Sequence, residues 1–340
     1  MHHLIVVRSP EELARHSGAT DLPPFDPGDL VRHASDAHWL LVNGDGQMVG
    51  RCSLWWRRTP PHPGHRLGLI GHYAVRDAEA ARLLLQHACE QLAEKSCTLA
   101  VGPMDGNTWR RYRLIVERGS EPTFFLEPDN PDDWPGHFAA AGFVAMAYYT
   151  SALSSDLTRS DPRVVRVAER LRARGVRVRS LDPGRFEQDL RVIYGIAEAS
   201  FRRGVLYAPI SAEEFLAQYR VLRPYMRPEL VLIAECEEQP LGFVFGVPDH
   251  LEAVRCAGGD HPGRGRIATV IFKTIAVHPD CRGVGLGAYL AACCHAVARD
   301  LGYSRAIHAL MHETNDSQRI SAYYARPMRR YALFSAQLRP

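Results

Sequence analysis

Residues 271–290 constrain the fold more than any other part of this 340-residue chain. A β-branched, apolar stretch from Ile271 to Val277 passes through the turn His278-Pro279-Asp280 into Arg282, Gly283, Val284, Gly285, Leu286, Gly287 and Ala288, and an apolar helical pattern follows to about residue 301. A strand that turns straight into a glycine-rich helix start leaves the first helical amides uncapped and facing outward, at the positive end of the helix dipole. Such an end binds anions. The glycines permit positive φ and close approach of a ligand to the backbone, and Arg282 adds a positive side chain, so a diphosphate fits. The GK[ST] of nucleotide hydrolases is missing, as is the acidic residue about 20 positions on that a dinucleotide fold requires. The next strand leads instead to His312, Glu313, Thr314, Asn315, Asp316 and Ser317.

At more than twice the roughly 150 residues of an ordinary domain, the chain should divide in two. The first half reads as a hairpin turning at Asn43-Gly44-Asp45-Gly46, an apolar strand from Leu67 to Val75, a helix from about 78 to 95, a strand at 98–101, a short helix at 134–142 and a strand from 143 to 153. A helix follows with Asp161 and Pro162 at its start and Gly175 at its end. The second half repeats the order, with a strand at 176–180, helices at about 185–201 and 212–222, a hairpin at 230–235 and 241–247, a long strand at 267–277, a helix at 285–301, a strand at 305–311, a short helix near 317–325 and a last strand at 328–337. The expectation is α/β, two divergent copies of one mixed-sheet unit, over 1–155 and 156–340.

The run Val277-His278-Pro279, Arg282-Gly283, Gly285, Gly287 and Leu290, followed by a strand and an Asn315-containing turn before a short helix, resembles the acetyl-CoA motif of the GNAT (GCN5-related) N-acetyltransferases. The resemblance covers about 225–325 and extends more loosely to 176. It implies tandem GNAT-like domains, in which the amides of Arg282, Gly283, Val284, Gly285, Leu286, Gly287 and Ala288 hold the pyrophosphate of acetyl-CoA. The backbone of Ile275, Ala276 and Val277 would pair with the pantetheine arm, with Asn315 beside it. In the first copy, Gly71 to Val75 followed by Arg76-Asp77-Ala78-Glu79 takes the motif's place without its glycines, so acetyl-CoA is not expected there. Phe138 to Phe143 resembles the Gly-Phe that closes the family's last helix.

Many members place a Glu base four residues before the Val of this motif; here that position holds Lys273. A lysine acts as a base only if burial lowers its pKa, so binding of a substrate carboxylate is an equal expectation. The candidates left for proton transfer are Glu313, with His312 beside it, and, on the short helix where the family carries its acid, close to but not at the usual interval, Tyr323 or Tyr324. The family's second Gly-Phe is replaced by Ala325-Arg326-Pro327. The loop from Gly102 to Arg113, with Trp109 and Arg113, is expected to wall an acceptor pocket together with Lys273.

The leading expectation is an N-acyltransferase moving an acetyl group from acetyl-CoA to an amine of a small molecule or peptide. An aminoacyl-tRNA-dependent transferase and a non-catalytic acyl-CoA-binding module are the alternatives. Eight arginines between 159 and 179 form a basic helical face open to an acidic ligand or RNA, but the balance of 41 Lys+Arg against 38 Asp+Glu argues against nucleic acid as the main partner. No apolar run reaches the roughly 18 residues of a membrane helix, and the opening residues lack a signal-peptide pattern, so a cytoplasmic protein is expected. The eight cysteines show no paired CxxC spacing and read as reduced, without zinc or other metal. Oligomeric state is open.

Overall fold

The helices that begin at residues 78, 162 and 212 start where the side chains of Asp77, Asp161 and Ser211 cap their first amides. The computed structural model describes residues 2–16, 20–256 and 267–339. The first half contains β1 (His3–Val7), α1 (Pro10–His16), α2 (Asp29–Arg32), β2 (Ala37–Val42), β3 (Met48–Trp55), β4 (Leu67–Val75), α3 (Ala78–Glu94), β5 (Leu99–Gly102), β6 (Leu114–Glu117), α4 (Trp134–Ala140) and β7 (Val144–Ser154). The second contains α5 (Pro162–Ala173), β8 (Arg177–Ser180), α6 (Phe186–Phe201), α7 (Ala212–Leu222), β9 (Val231–Cys236), β10 (Gln239–Pro248), α8 (His250–Cys256), β11 (Thr269–Val277), α9 (Leu286–Asp300), β12 (Arg305–His312), α10 (Asp316–Tyr324) and β13 (Arg326–Gln337). Asp161 caps α5 by accepting from the Arg163 amide, and Pro162 follows at its first turn.

All thirteen strands of the described residues join one sheet, in the order β1-β2-β3-β4-β5-β13-β7-β12-β11-β10-β9-β8, with β6 paired to β13. The last strand of each half has changed places. β7 lies beside β12, with His312 opposite Tyr149, and β13 lies beside β5, with Phe334 opposite Gly102. The two exchanged strands pair with each other from Arg326–Leu153 to Ser335–Val144. The sheet therefore runs unbroken across the 155/156 division, and each half is completed by a strand that the other supplies. Arg329 fixes β13 to the first half, donating through Nε to the Arg118 carbonyl at 2.7 Å and pairing with Glu127, which also accepts from the Tyr331 hydroxyl.

Helices α6 and α7 cover one face of the second half through Leu190, Ile193, Phe215 and Leu216, while α5 and α9 cover the other through Leu171, Leu290 and Cys294. The parallel pairing of β11 with β12 runs only from Thr269–Arg305 to Phe272–His308. Beyond it, β12 bulges toward β7, with Leu310 at φ 59° and its amide donating to Ser151 Oγ at 3.1 Å. A cleft opens between the two strands, and the edge of β11 from Lys273 onward faces it.

The equivalent cleft of the first half is filled. Pairing of β4 with β5 stops at Leu69–Val101, and the following loop folds back into the gap. The Met104 amide donates to the Ile70 carbonyl at 2.8 Å, and the Asp105 carboxylate accepts from the His72 amide at 2.6 Å. Only glycine fits at position 71, where a Cβ would lie 2.2 Å from the Met104 oxygen. At the start of α3, Asp77 accepts from the Ala80 amide at 2.9 Å, so this helix end is already capped by a carboxylate.

Candidate active site

The cleft widens into a cavity of about 910 Å³ bounded by β11, β12, the end of α6, and the loop of residues 108–113 from the first half. Its outer end lies at the start of α9. Gly283 and Gly285 take φ of 78° and 88°, values that only glycine adopts freely, and Gly285 serves as N-cap with no side chain to offer. Among the described residues, no protein group accepts from the amides of Gly283, Val284 or Gly285. The arginine-rich helix braces this loop. Arg170 donates to the Val284 carbonyl at 2.9 Å, and Val167 packs against Gly285. Arg282 lines the cavity and is tied to the end of α6 by a 3.0 Å hydrogen bond to the Ser200 carbonyl.

The other expected cofactor positions divide by what they can offer. Ile275 lines the cavity; the Ala276 side chain packs under α6, and Val277 packs toward α9, so these two can contribute only backbone. Leu286 is buried in the core and Ala288 packs there too, again leaving their amides. Gly287 faces Ile320, whose Cδ1 would lie 3.3 Å from a Cβ at that position. Asn315 stands at the start of α10 but makes no side-chain capping bond, and it lines the cavity.

Lys273, Trp109 and Arg113 meet in this cavity although they come from opposite halves of the chain. Trp109 is anchored by its indole N–H, 2.9 Å from the Ala208 carbonyl, and stands edge-on to Phe215. The Arg113 guanidinium lies against the rings of Tyr112 and Tyr149, 4.1 and 4.3 Å from their centroids. Burial, with a smaller push from Arg113, brings the Lys273 pKa down to about 8.

The three residues expected to move protons are not in the cavity. Tyr323 turns away and donates to the Ser160 carbonyl at 2.8 Å, because α10 presents it to the segment before α5. Tyr324 is buried at 3% exposure and stacks on His295, 4.5 Å between centroids, behind β12. Glu313 sits at the exposed strand end and accepts from the Tyr148 amide at 3.3 Å. Their neighbour His312 does line the cavity. Its Nδ1 accepts from the Thr314 amide at 3.2 Å, which places the proton of the neutral ring on Nε2, and burial holds its pKa below the usual value. Tyr149 was not legible as a site residue, since only the strand exchange sets it beside His312, 5.0 Å between ring centroids.

A smaller cavity of about 400 Å³ in the first half shares Trp109, Arg110, Arg111 and Gln218 with the larger one. Behind it runs a polar chain: His33 Nδ1 lies 2.7 Å from His72 Nε2, His72 Nδ1 lies 2.8 Å from Ser53 Oγ, and Ser53 Oγ lies 2.7 Å from His38 Nδ1.

A glycine loop with unclaimed amides, set at the mouth of a cleft between two splayed parallel strands, is the arrangement expected from the motif, and residues 195–328 match the family model described as Acetyltransferase (GNAT) family. This segment is a GNAT domain. The matched range begins inside α6 and ends just within β13, so the GNAT domain contains the cleft, the glycine loop and Asn315 but not Trp109 or Arg113. A GCN5-related N-acetyltransferase from Sphaerobacter thermophilus has a similar fold over 99% of this chain and 96% of its own, at 15% identity and a TM-score of 0.51. A tandem GNAT protein from the clavulanic acid biosynthesis pathway aligns over 100% and 99%, at 15% identity and a TM-score of 0.50. Both likenesses support a GNAT fold in tandem. Among curated proteins, Protein YghO of Escherichia coli (strain K12) is 23% identical over 223 residues, which are 63% of this chain and only 55% of that protein. No helix among the described residues is long and apolar enough to cross a membrane.

Proposed function

We propose that the protein is an N-acyltransferase that moves an acetyl group from acetyl-CoA to a primary amine, with the GNAT domain holding the donor and the loop 108–113 of the first half walling the acceptor. The observation that supports this most is the continuity of the cavity, which reaches from Arg282 beside the unclaimed amides of Gly283–Gly285 past the free edge of β11 to Lys273 and Trp109. In this reading the amides and Arg282 take the diphosphate, and the β11 backbone with Asn315 takes the pantetheine. When bound, acetyl-CoA supplies the activated thioester.

The amine lone pair attacks the thioester carbonyl carbon. The C–N bond forms, the C–S bond breaks, the amine sheds one proton, and the CoA thiolate takes one up to leave as a thiol. Strand amides at the edge of β11 can receive the developing charge on the carbonyl oxygen. The proton shed by the amine nitrogen is the one the departing sulfur takes up, so the step balances without drawing on the neutral His312 ring. The two carboxylates lining the cavity, Glu127 and Asp129, are held by Arg329 and Arg118. We therefore assign neither as base, and the amine reacts as the fraction already neutral. The division of labour between 1–155 and 156–340, like the cytoplasmic setting, belongs to this proposal.

Calorimetric titration of acetyl-CoA into the wild type and into Gly283→Asp tests the donor site. At Gly283 a Cβ meets nothing within 4 Å, and Asp tolerates positive φ better than most residues, so the variant adds mainly a negative charge. Gly283→Asn carries the same backbone cost without the charge. One donor per chain, lost in the Asp variant and retained in the Asn variant, is the expected result; absence of binding to the wild type removes the proposal.

A further inference from the structure

Charged side chains inside a protein are held by partners, because leaving one unpaired away from water is costly. Most of the cavity's ions obey this rule. Arg110 is paired with Glu214 at 2.6 Å, Asp129 with Arg118 at 2.8 Å, and Glu127 with Arg329. Arg282 lies beside the glycine loop, where the donor's phosphates offer charge.

Two cations remain. Arg113 is 7% exposed; its one hydrogen bond, from Nη1, goes to the Tyr112 hydroxyl at 2.8 Å, and its Nε reaches no acceptor among the described residues. The Lys273 side chain makes no hydrogen bond or ion pair with any described residue, and among those residues it is Arg113 that acts on its ammonium, by repulsion. Both line the same cavity, next to Trp109. Two like charges converging on one space without a counter-ion form half of an ion pair whose other half is absent from the chain.

Building on the acyltransferase reading above, we infer that the acceptor amine carries a carboxylate, which Arg113 and Lys273 bind together. The chemistry of the pair fits. The guanidinium is braced in the corner of two tyrosine rings that meet at 84°, so its place is fixed before the ligand arrives and its fork can meet a carboxylate, while the ammonium adds a compact point charge. The position fits as well. Lys273 stands four residues before Val277, roughly 13 Å along the strand from the end that leads to the glycine loop, on the side of the cavity remote from the donor's phosphates. At this end the acetyl thioester is neutral, so it does not answer the two charges. A lysine at this point of β11 thus sets what the acceptor must bring rather than taking its proton.

The test uses acetyl-CoA and pairs of amines that differ only in the carboxylate, 4-aminobutyrate against 4-aminobutyramide and β-alanine against its amide, with thiol release as the readout. In the wild type, kcat/KM for the carboxylate member should exceed that for the amide by on the order of tenfold or more, with most of the difference in KM. Lys273→Met and Arg113→Gln should each bring that ratio toward one, and Lys273→Arg should retain most of it; thermal melting of each variant shows whether it has folded. Equal kcat/KM for both members in the wild type overturns the inference while leaving the acyltransferase reading intact. A wild-type preference for succinyl-CoA over acetyl-CoA that Lys273→Met abolishes assigns the carboxylate to the acyl group and likewise overturns it. Failure of the wild type to bind acetyl-CoA in the titration above removes both.

Discussion

Gly285 faces Val167 across the contact of α9 with α5, and a Cβ on Gly285 would lie 2.9 Å from the valine Cγ1. The glycine is required twice, by its φ of 88° and by this approach. Gly285→Ala should cost about 2–3 kcal/mol of stability, the sum of positive-φ strain and overpacking. Adding Val167→Ala should recover the packing share alone, so the double variant melts above the single and below the wild type. Chemical denaturation of the four proteins measures this.

The charge on Lys273 gives the acceptor site a pH signature. Its pKa is lowered to about 8, by burial first and by Arg113 second, so the ammonium is intact below pH 8 and is lost above it. The ratio of kcat/KM for 4-aminobutyrate over its amide should be flat from pH 6.5 to about 7.5 and fall as pH rises through 8. In Lys273→Arg the fall should disappear, because guanidinium stays charged throughout. Rates with amide and acid pairs across this range decide the matter.

Arg329 and Glu127 are both fully buried, and they join the exchanged strand β13 to the loop that follows β6. Arg329→Met should cost about 3–5 kcal/mol, since it leaves the glutamate's charge buried without its partner. The double change Arg329→Met with Glu127→Gln should be less destabilised than the single one. A double-mutant cycle in urea reads the coupling.

Acid should unfold this protein early. Burial lowers the pKa of His33 to about 4, of His38 and His308 to about 3, of His295 to about 4, and of His72 further still, each from an ordinary value of 6.5. Such rings stay neutral in the folded chain and take up protons when it unfolds. Between pH 6.5 and 4 the unfolded state binds more protons, so stability is fully present above pH 6.5 and declines as pH falls. The melting temperature should drop steeply from pH 7 to pH 5. In His38→Asn with His72→Asn the slope should be shallower, whatever the starting stability.

Local chemistry made much of this legible in advance. The cap of α5, the Asn-Gly hairpin and the glycine loop are decided by residues close together in sequence, and they stand where the pattern places them. The elements without strong periodicity were not visible: β1, β6 and α8 owe their structure to neighbours distant in the chain. The same limit governs the site. Arg282, Asn315 and Ile275 follow from a local motif and line the cavity. Tyr323 lies on the helix expected to carry an acid, but that helix enters β13 directly through Ala325-Arg326-Pro327, and the Tyr323 hydroxyl turns to Ser160. Tyr149 became a site residue only through a pairing that no window of sequence contains.

The exchange of β7 and β13 also sets the order of events as the chain leaves the ribosome. Domains generally mature as units while synthesis proceeds, the first before the second. Here β5 cannot obtain its neighbour until residues 326–337 have emerged, so the first half stays an open template until the second half has been made. Its early fragments expose an unpaired edge, and stalled or truncated products are the form of this protein most in need of a chaperone.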